Sequence, residues 1–405
     1  MSDEILTTSI REVFDDERFT VSRALADYAF GASPSTATPE ERQRNLESLQ
    51  KYATASRFFV SFAGESPQAT AVMMTMTENI RGKILPMSGV SSVASLPTGR
   101  RQGHVRNVLT RIFQEMRDEG NVISTLYPFR ESFYERMGYV PFPRPRYIGF
   151  DPANLAPLVK QPKSGSIDQL PFSEGWELWR SFIEQQQLTT HGFSLRDRSY
   201  DVRNKDENTH WTAIARDDAG EIVGMLIFKI TGYTERLEVH RFYATNMLGR
   251  YLLLDWIGRH VDQVKIATIC LPPDVFPETW YRDLNATVTT DDPHAWAAPS
   301  GRIIDVRGLT GIGAGDGEIT VRIEDEFAAW NTGVFTFTGA NGELTVTEGG
   351  EPQTTLTIQG LAALVFAGYD PASYVYRGWG DPDAASQATL AAIFPPAVPF
   401  LHELF

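Results

Sequence analysis

"RRQGHVRNVLTRIFQEM", residues 100–116, places two arginines and a glycine directly before an apolar pattern of helical period. Val105, Val108, Leu109, Ile112, Phe113 and Met116 recur at i, i+3, i+4, i+7, i+8 and i+11, one stripe suited to packing on a sheet. The start of this helix lacks the Ser, Thr, Asp or Asn that ordinarily caps one. Gly103 stands there instead, beside N–H groups that have no partner within the helix. A glycine lets an anion approach the backbone, and Arg100 and Arg101 add positive charge, an arrangement that suits a pyrophosphate. The same residues also read as no more than a basic helix start. No G-K-[ST] follows, so this is not a P-loop, and a single glycine does not make a Rossmann fingerprint.

Working outward, "RFFVSFA" (57–63), "QATAVMMTMTENI" (68–80) and "KILPMSGVSSVASL" (83–96) read as strands of an antiparallel meander. Helical patterns precede them at 17–31 and 40–57, the second opened by Thr38-Pro39. Downstream, Gly120 stops the decisive helix, "NVISTLYP" (121–128) is a short buried strand, and "FRESFYERMGY" is a second helix stopped by Gly138. Helices, meander, helix, strand, helix, strand is the order of an α/β or α+β domain, assigned to residues 1–150.

Residues 143–166 are rich in Pro and polar residues and read as a surface connector. A second unit, 151–294, again runs meander, helix, strand, but its helix start, "FYATNMLGRYLLL", has no R-x-x-G. After "DDPHAWAAPSG" (291–301), the segments "GEITVRIED", "GVFTFTG", "GELTVTEG" and "TTLTIQG" and the helical "GLAALVFAG" read as a third, α+β domain over 295–405. "GIGAGDGE" (311–318) is glycine-dense, misses G-x-G-x-x-G at Asp316, and reads as a mobile loop.

Composition narrows the partners. A net charge of −14 and a pI of about 5.0 should repel nucleic acid and anionic membranes, and match cationic small molecules or basic proteins better. No run of about 18 apolar residues appears, and "MSDEILTTSIREVFDDERF" is too acidic for a secretory signal, so a cytoplasmic location is expected. Cys270 is the single cysteine, which excludes an intramolecular disulfide; in "KIATICLPP" it reads as an inert core thiol. The histidines form no pair at metal-ligand spacing, so no metal is expected.

The stretch Arg100–Val105 resembles the R-x-x-G-x-G/A signature of GNAT N-acetyltransferases, with Val105 departing at the last position. "VSSVASLPTGRRQGHVRNVL" followed by "SFYERMGYV" further resembles the Eis (enhanced intracellular survival) family, whose pattern is V-x-V-x-P-x-x-R-R-x-G and then I/F-Y-x-R-F-G-Y; Met137 departs from the common Phe. The resemblance covers essentially the whole chain. It implies tandem GNAT domains, the second degenerate, followed by a sterol-carrier-protein-like domain.

By that resemblance, the backbone at Val93, Ala94 and Ser95 would hold the pantetheine arm of acetyl-CoA, and Arg100, Arg101, Gly103 and His104 its pyrophosphate. Tyr134 would protonate the departing thiolate; a phenol with pKa near 10 suits that step. Its plain alternative is an aromatic anchor for the short helix, and Tyr139 reads as core or pocket wall. The apolar, proline-led end "FPPAVPFLHELF" argues for docking into protein rather than fraying. The resemblance makes the Phe405 carboxylate the general base, with Glu403 a second anion or a solvated surface charge.

The expected activity is acetyl transfer to a primary amine of aminoglycoside, lysine or polyamine type, in a hexamer. A different acyl donor or metabolite acceptor, or an idle CoA- or lipid-sensing protein, are the alternatives.

Overall fold

The computed structural model describes residues 8–31, 38, 40–41, 43–44, 47, 50, 55–199, 209–290 and 297–405. Along the chain, β1 (Thr8–Val13) leads through helical residues 18–29 to β2 (Ser56–Ala63), β3 (Ser66–Ile80) and β4 (Lys83–Ser95). Then come α1 (His104–Asp118), β5 (Ile123–Leu126), α2 (Glu131–Glu135) and β6 (Val140–Pro141). The middle of the chain holds β7 (Arg146–Phe150), β8 (Ser166–Pro171), α3 (Phe172–Thr189), β9 (Ser194–Arg196), β10 (Trp211–Arg216), β11 (Ile222–Thr231), β12 (Arg236–Ala244), α4 (Met247–Gly258), β13 (Ile266–Leu271) and β14 (Thr287–Thr289). The last third has β15 (Ser300–Ile303), β16 (Gly317–Glu324), β17 (Gly333–Ala340), β18 (Glu343–Glu348), β19 (Thr354–Thr357), α5 (Ile358–Ala367) and α6 (Ala384–Ile393).

Two compact units result. One gathers the described residues within 1–142, 191–201 and 298–405; the other those within 143–190 and 202–297. In the first unit β2–β4 form the expected antiparallel meander, β1 adds an unexpected strand at its edge, α1 crosses over, and β5 returns parallel to β4. The stripe read from the sequence is what α1 buries: Val108, Leu109, Ile112, Phe113 and Met116 are all fully enclosed. The expected helix over 40–57 lies largely outside the described residues.

The sheet then continues in a way the sequence did not announce. β15, from the stretch read as punctuation, inserts between β5 and β6, giving the order β1-β2-β3-β4-β5-β15-β6. Four residues carry too little periodicity to register as a strand. Its Arg302 is fully buried: Nη2 donates to both oxygens of Asp325, at 2.9 and 2.7 Å, Nη1 donates to the Met137 carbonyl, and the guanidinium lies over the Phe113 ring at 4.4 Å. This explains the glycine of "YERMGY". A Cβ on Gly138 would fall 1.9 Å from Arg302 Nη1, and φ is +92°.

The last hundred residues form the sheet β18-β17-β16-β19, on whose inner face Ile319, Val321, Ile323, Phe335 and Phe337 pack in one core with α5 and with the outer face of the meander. Arg81, at the β3–β4 turn, caps the C-terminus of α5: Nε and Nη2 donate to the carbonyls of Val365 and Leu364, at 2.8 and 2.7 Å. A cation at a helix C-terminus is favoured by the unpaired carbonyls. Burial lowers its pKa to about 10. His191 joins it, with Nε2 2.5 Å from the Phe366 carbonyl.

Residues 311–318 are packed rather than mobile. The Gly311, Gly313 and Gly315 amides donate to the carbonyls of Leu344, Arg81 and Ile393, at 2.6, 2.7 and 3.0 Å. A Cβ on Gly313 or Gly315 would sit 2.6 Å from Arg81 O or 2.1 Å from Ala392 O, so these glycines serve close backbone approach, not flexibility.

The second unit is a sheet of order β14-β7-β13-β12-β11-β10-β8 with α4 as its crossover. It repeats the first: antiparallel meander, helix, then a strand, β13, parallel to β12. The expected connector 143–166 contains β7, whose buried Ile148 and Phe150 alternate with less buried neighbours. Two prolines before the strand masked its short alternation. Cys270 is half-buried on β13, on the face opposite Ile269 and Leu271, rather than in the core.

Candidate active site

The site begins with an irregularity in β4. Thr70 pairs with Ala94 and Val72 with Ser91, so Ser92 and Val93 together stand opposite Ala71. Ser92 takes φ = +51° to accommodate the extra residue. On its other side β4 pairs with β5 only from Met87 to Gly89, opposite Ile123 to Thr125. Beyond Gly89 the two strands part, and the bulged backbone of Val93, Ala94 and Ser95 borders the gap.

The chain leaves β4 through a tight turn, and Arg100, Arg101, Gln102 and Gly103 are exposed. Arg101 and Gly103 both have positive φ, +63° and +85°. Gly103 is the N-cap of α1, with no side-chain cap, and a Cβ there would meet nothing nearer than Asn107 Nδ2 at 4.0 Å. Open space, unpaired N–H groups and two exposed guanidinium groups make a donor set that fits a pyrophosphate. His104 contributes to it only through its backbone. Its ring is buried, Nδ1 lies 2.8 Å from Ser61 Oγ, and desolvation lowers its pKa.

Successive residues of a strand face opposite sides of the sheet. At the gap this separates the two remaining candidates. Val90 shares the α1-side core with Tyr134, which is 3% exposed and surrounded by the rings of Phe129, Phe133 and Tyr139, at centroid distances of 5.5, 5.0 and 6.0 Å. Burial, reinforced by Tyr139, raises the Tyr134 pKa well above the ordinary phenol value. Tyr139 is core: its hydroxyl lies 2.8 Å from Ser124 Oγ.

Gly89 faces the other side, where the Phe405 ring covers it; a Cβ on Gly89 would be 2.8 Å from Phe405 Cε2 and 2.9 Å from Met76 Sδ. The chain end is therefore docked on the first unit. Residues 191–196 guide it: the Phe400 amide donates to the His191 carbonyl at 3.0 Å, and the Glu403 amide to Ser194 Oγ at 3.2 Å. The Arg196 guanidinium donates to the Leu404 carbonyl and pairs with Glu403 at 3.3 Å, and Tyr127 donates to the Glu403 carbonyl at 3.3 Å. Glu403 is thus a held anion rather than a solvated one. No local pattern marks Arg196 or Ser194, because the residues they hold lie 208 and 209 positions away.

Glu78 was likewise unforeseen. It is completely buried in β3, opposite Leu85 and Ser194, neither carboxyl oxygen has a hydrogen-bond partner among the described residues, and desolvation raises its pKa. Alternation in "MTMTENI" put this glutamate on an inward face, a signal that was present.

In the second unit the equivalent features are half kept. β12 parts from β13 beyond Val239, and His240 is its extra residue. The start of α4, however, is capped by its own Asn246, whose Oδ1 accepts the Gly249 amide at 2.9 Å. A side chain thus takes the position an anion would occupy. Among the described residues no group of His, Cys, Asp and Glu is arranged to hold a metal, and no helix is long and apolar enough to cross a membrane.

Comparison with known proteins agrees with this geometry. Residues 9–142 match the acetyltransferase (GNAT) domain family, and residues 304–402 the sterol carrier protein domain family. No curated protein matches the chain in sequence. Among solved structures, a GCN5-related N-acetyltransferase from Anabaena variabilis superposes with a TM-score of 0.83 at 18% identity, covering 98% of this chain and 100% of its own. A probable N-acyltransferase from Enterococcus faecalis gives 0.82 at 18% identity, with the same coverage. Eis1 from Mycobacterium abscessus gives 0.74 at 16% identity, again over 98% and 100% of the two chains. At such identities the superpositions establish the fold, and the domain match establishes the chemistry class. The chain is an enzyme built on a GNAT N-acetyltransferase domain, the class that uses acetyl-CoA, joined to a sterol carrier protein domain.

Proposed function

We propose that the enzyme transfers acetyl from acetyl-CoA to a primary amine by direct attack within a ternary complex, in the manner of the Eis family. The observation that carries this reading is the parted β4–β5 edge with Tyr134 on one side of the sheet and Phe405 on the other. The thioester supplies an activated acyl group; the protein supplies position and protons. Backbone groups of Val93, Ala94 and Ser95 hold the pantetheine arm, and Arg100, Arg101 and the amides of Gly103 and His104 hold the pyrophosphate.

The Phe405 carboxylate accepts the proton lost by the attacking nitrogen. Tyr134 donates its own to the sulfur as the C–S bond breaks, so one proton is taken up and one released. A donor must be protonated beforehand, as a phenol is at neutral pH; the burial that raises the Tyr134 pKa makes it a weaker acid than a free phenol, so its proton moves only as negative charge develops on the sulfur. The acceptor class that fits the chain's net charge of −14 is cationic: an aminoglycoside, a lysine side chain or a polyamine. The family resemblance adds a hexamer, which sedimentation of the purified protein tests.

The experiment is thiol release from acetyl-CoA at neutral pH with a panel of such amines, comparing the native enzyme with Tyr134→Phe. Amine-dependent release that falls about 10²- to 10⁴-fold in the variant is expected. Release that ignores every amine, with acetyl-CoA still bound, would favour a sensing role over transfer.

A further inference from the structure

The segment around β9 lies in the middle of the chain, between elements of the second unit, yet it belongs to the first. It pairs with β3 by three residues, Ser194 to Arg196 opposite Glu78 to Met76. Residues directly opposite in a sheet share a face. Arg196 and Met76 therefore stand on one side, and Met76 is the residue whose sulfur, with the Phe405 ring, closes over Gly89.

Arg196 meets the chain end in three ways. Nη2 donates to the Leu404 carbonyl, Nε lies 3.3 Å from Glu403 Oε2, and the guanidinium is 5.9 Å from the Phe405 ring centroid. With a side chain only 18% exposed, it is fixed from below by the strand and from above by the tail. Neutral contacts to these last residues come from the Ser194 hydroxyl to the Glu403 amide, the Tyr127 hydroxyl to the Glu403 carbonyl, and the Tyr127 ring at 5.9 Å from that of Phe405. Nη2 makes the hydrogen bond to the backbone carbonyl, while Nε faces the Glu403 carboxylate as an ion pair without hydrogen-bond geometry; a planar guanidinium can face both groups at once, which an ammonium on a flexible stem does not reproduce.

We propose that Arg196 is the positioning residue of the active site, clamping Leu404 and Glu403 so that Phe405 stays over Gly89 at the parted strands. The inference rests on the role given above to Phe405. A base displaced by about 1 Å can cost on the order of 100-fold in rate, so the clamp sets turnover without touching the acyl donor.

Three full-length variants, Arg196→Lys, Arg196→Met and Ser194→Ala, separate the possibilities through two independent readouts. The first is the rate at which carboxypeptidase A removes Phe405, which reports whether the tail is docked whatever its chemical role. The second is steady-state kinetics with acetyl-CoA and an active amine. Expected for Arg196→Met are several-fold faster trimming, a fall in kcat of about 10- to 100-fold, and an unchanged KM for acetyl-CoA. Arg196→Lys falls between it and the native enzyme, and Ser194→Ala, which loses only a neutral contact, stays closer to native. Trimming of Arg196→Met at the native rate would overturn the clamp. Faster trimming with full kcat would leave the clamp standing as a contact, and overturn both its positioning role and the assignment of Phe405 as base.

Discussion

Among the described residues the Glu78 side chain has no ion pair and no hydrogen bond, and it lies in the interior of a sheet. A carboxyl in that position is held neutral by desolvation, with its folded-state pKa above its unfolded value. Between those two values the folded protein binds the proton and the unfolded chain does not. Stability therefore falls as pH rises through that window, by at most about 1.4 kcal/mol per unit. Glu78→Gln, which keeps the shape and removes the charge, should flatten this dependence. Denaturant midpoints measured from pH 5 to 8 should decline for the native protein more than for the variant; parallel curves would show that Glu78 finds a partner. Tyr134 and Tyr139 illustrate the complementary case, where the sequence placed two tyrosines five residues apart and only packing assigned them. Tyr139 has its hydroxyl bonded to Ser124, whereas the Tyr134 hydroxyl makes no hydrogen bond among the described residues.

At the scale of an element, the uncapped start of α1 was legible because it is local: a missing cap and a glycine are visible in four letters. The positive φ of Gly103 adds the reason for glycine. Gly103→Val would impose left-handed strain of about 1–2 kcal/mol and fill the space beside the N–H groups. A raised KM for acetyl-CoA with little change in kcat is the expected outcome in steady-state kinetics. A lowered kcat at constant KM would place the residue's role elsewhere. β15 shows the opposite limit. Its insertion depends on Arg302 reaching Asp325 and Met137, three residues that no local pattern connects. Arg302→Met should cost about 3–5 kcal/mol in denaturant unfolding, because Asp325 is left buried and charged. A loss below about 1 kcal/mol would mean that water replaces the guanidinium.

At the scale of the whole molecule, the repeat of meander, helix and parallel strand in both units invites the expectation of two acetyl-CoA sites. The start of α4 argues against a second. Asn246 satisfies the amide that a phosphate would need, and no arginine precedes it at the R-x-x-G spacing. Isothermal titration should therefore give one acetyl-CoA per chain, and a stoichiometry of two would show that the self-cap opens. The last third of the chain is tied to the catalytic sheet by the Arg81 cap on α5, by β15 and by the tail. Its strands bury Ile319, Val321, Ile323 and Phe337 in one core shared with α5.

By itself the sequence determined the helix with an anion-ready start, the meander before it, the motif that carries Tyr134, and the absence of a disulfide framework. All of these are written in short-range spacing, where backbone geometry translates period directly into structure. Only the tertiary structure decided that residues 191–196 guide a tail about two hundred positions away, that β15 completes the first sheet, and that Tyr134 and Phe405 pack against opposite faces of that sheet. Those arrangements arise from strand pairing and burial between distant segments. Their free energy comes from contacts formed only when the chain is folded, so no local stretch carries their signature.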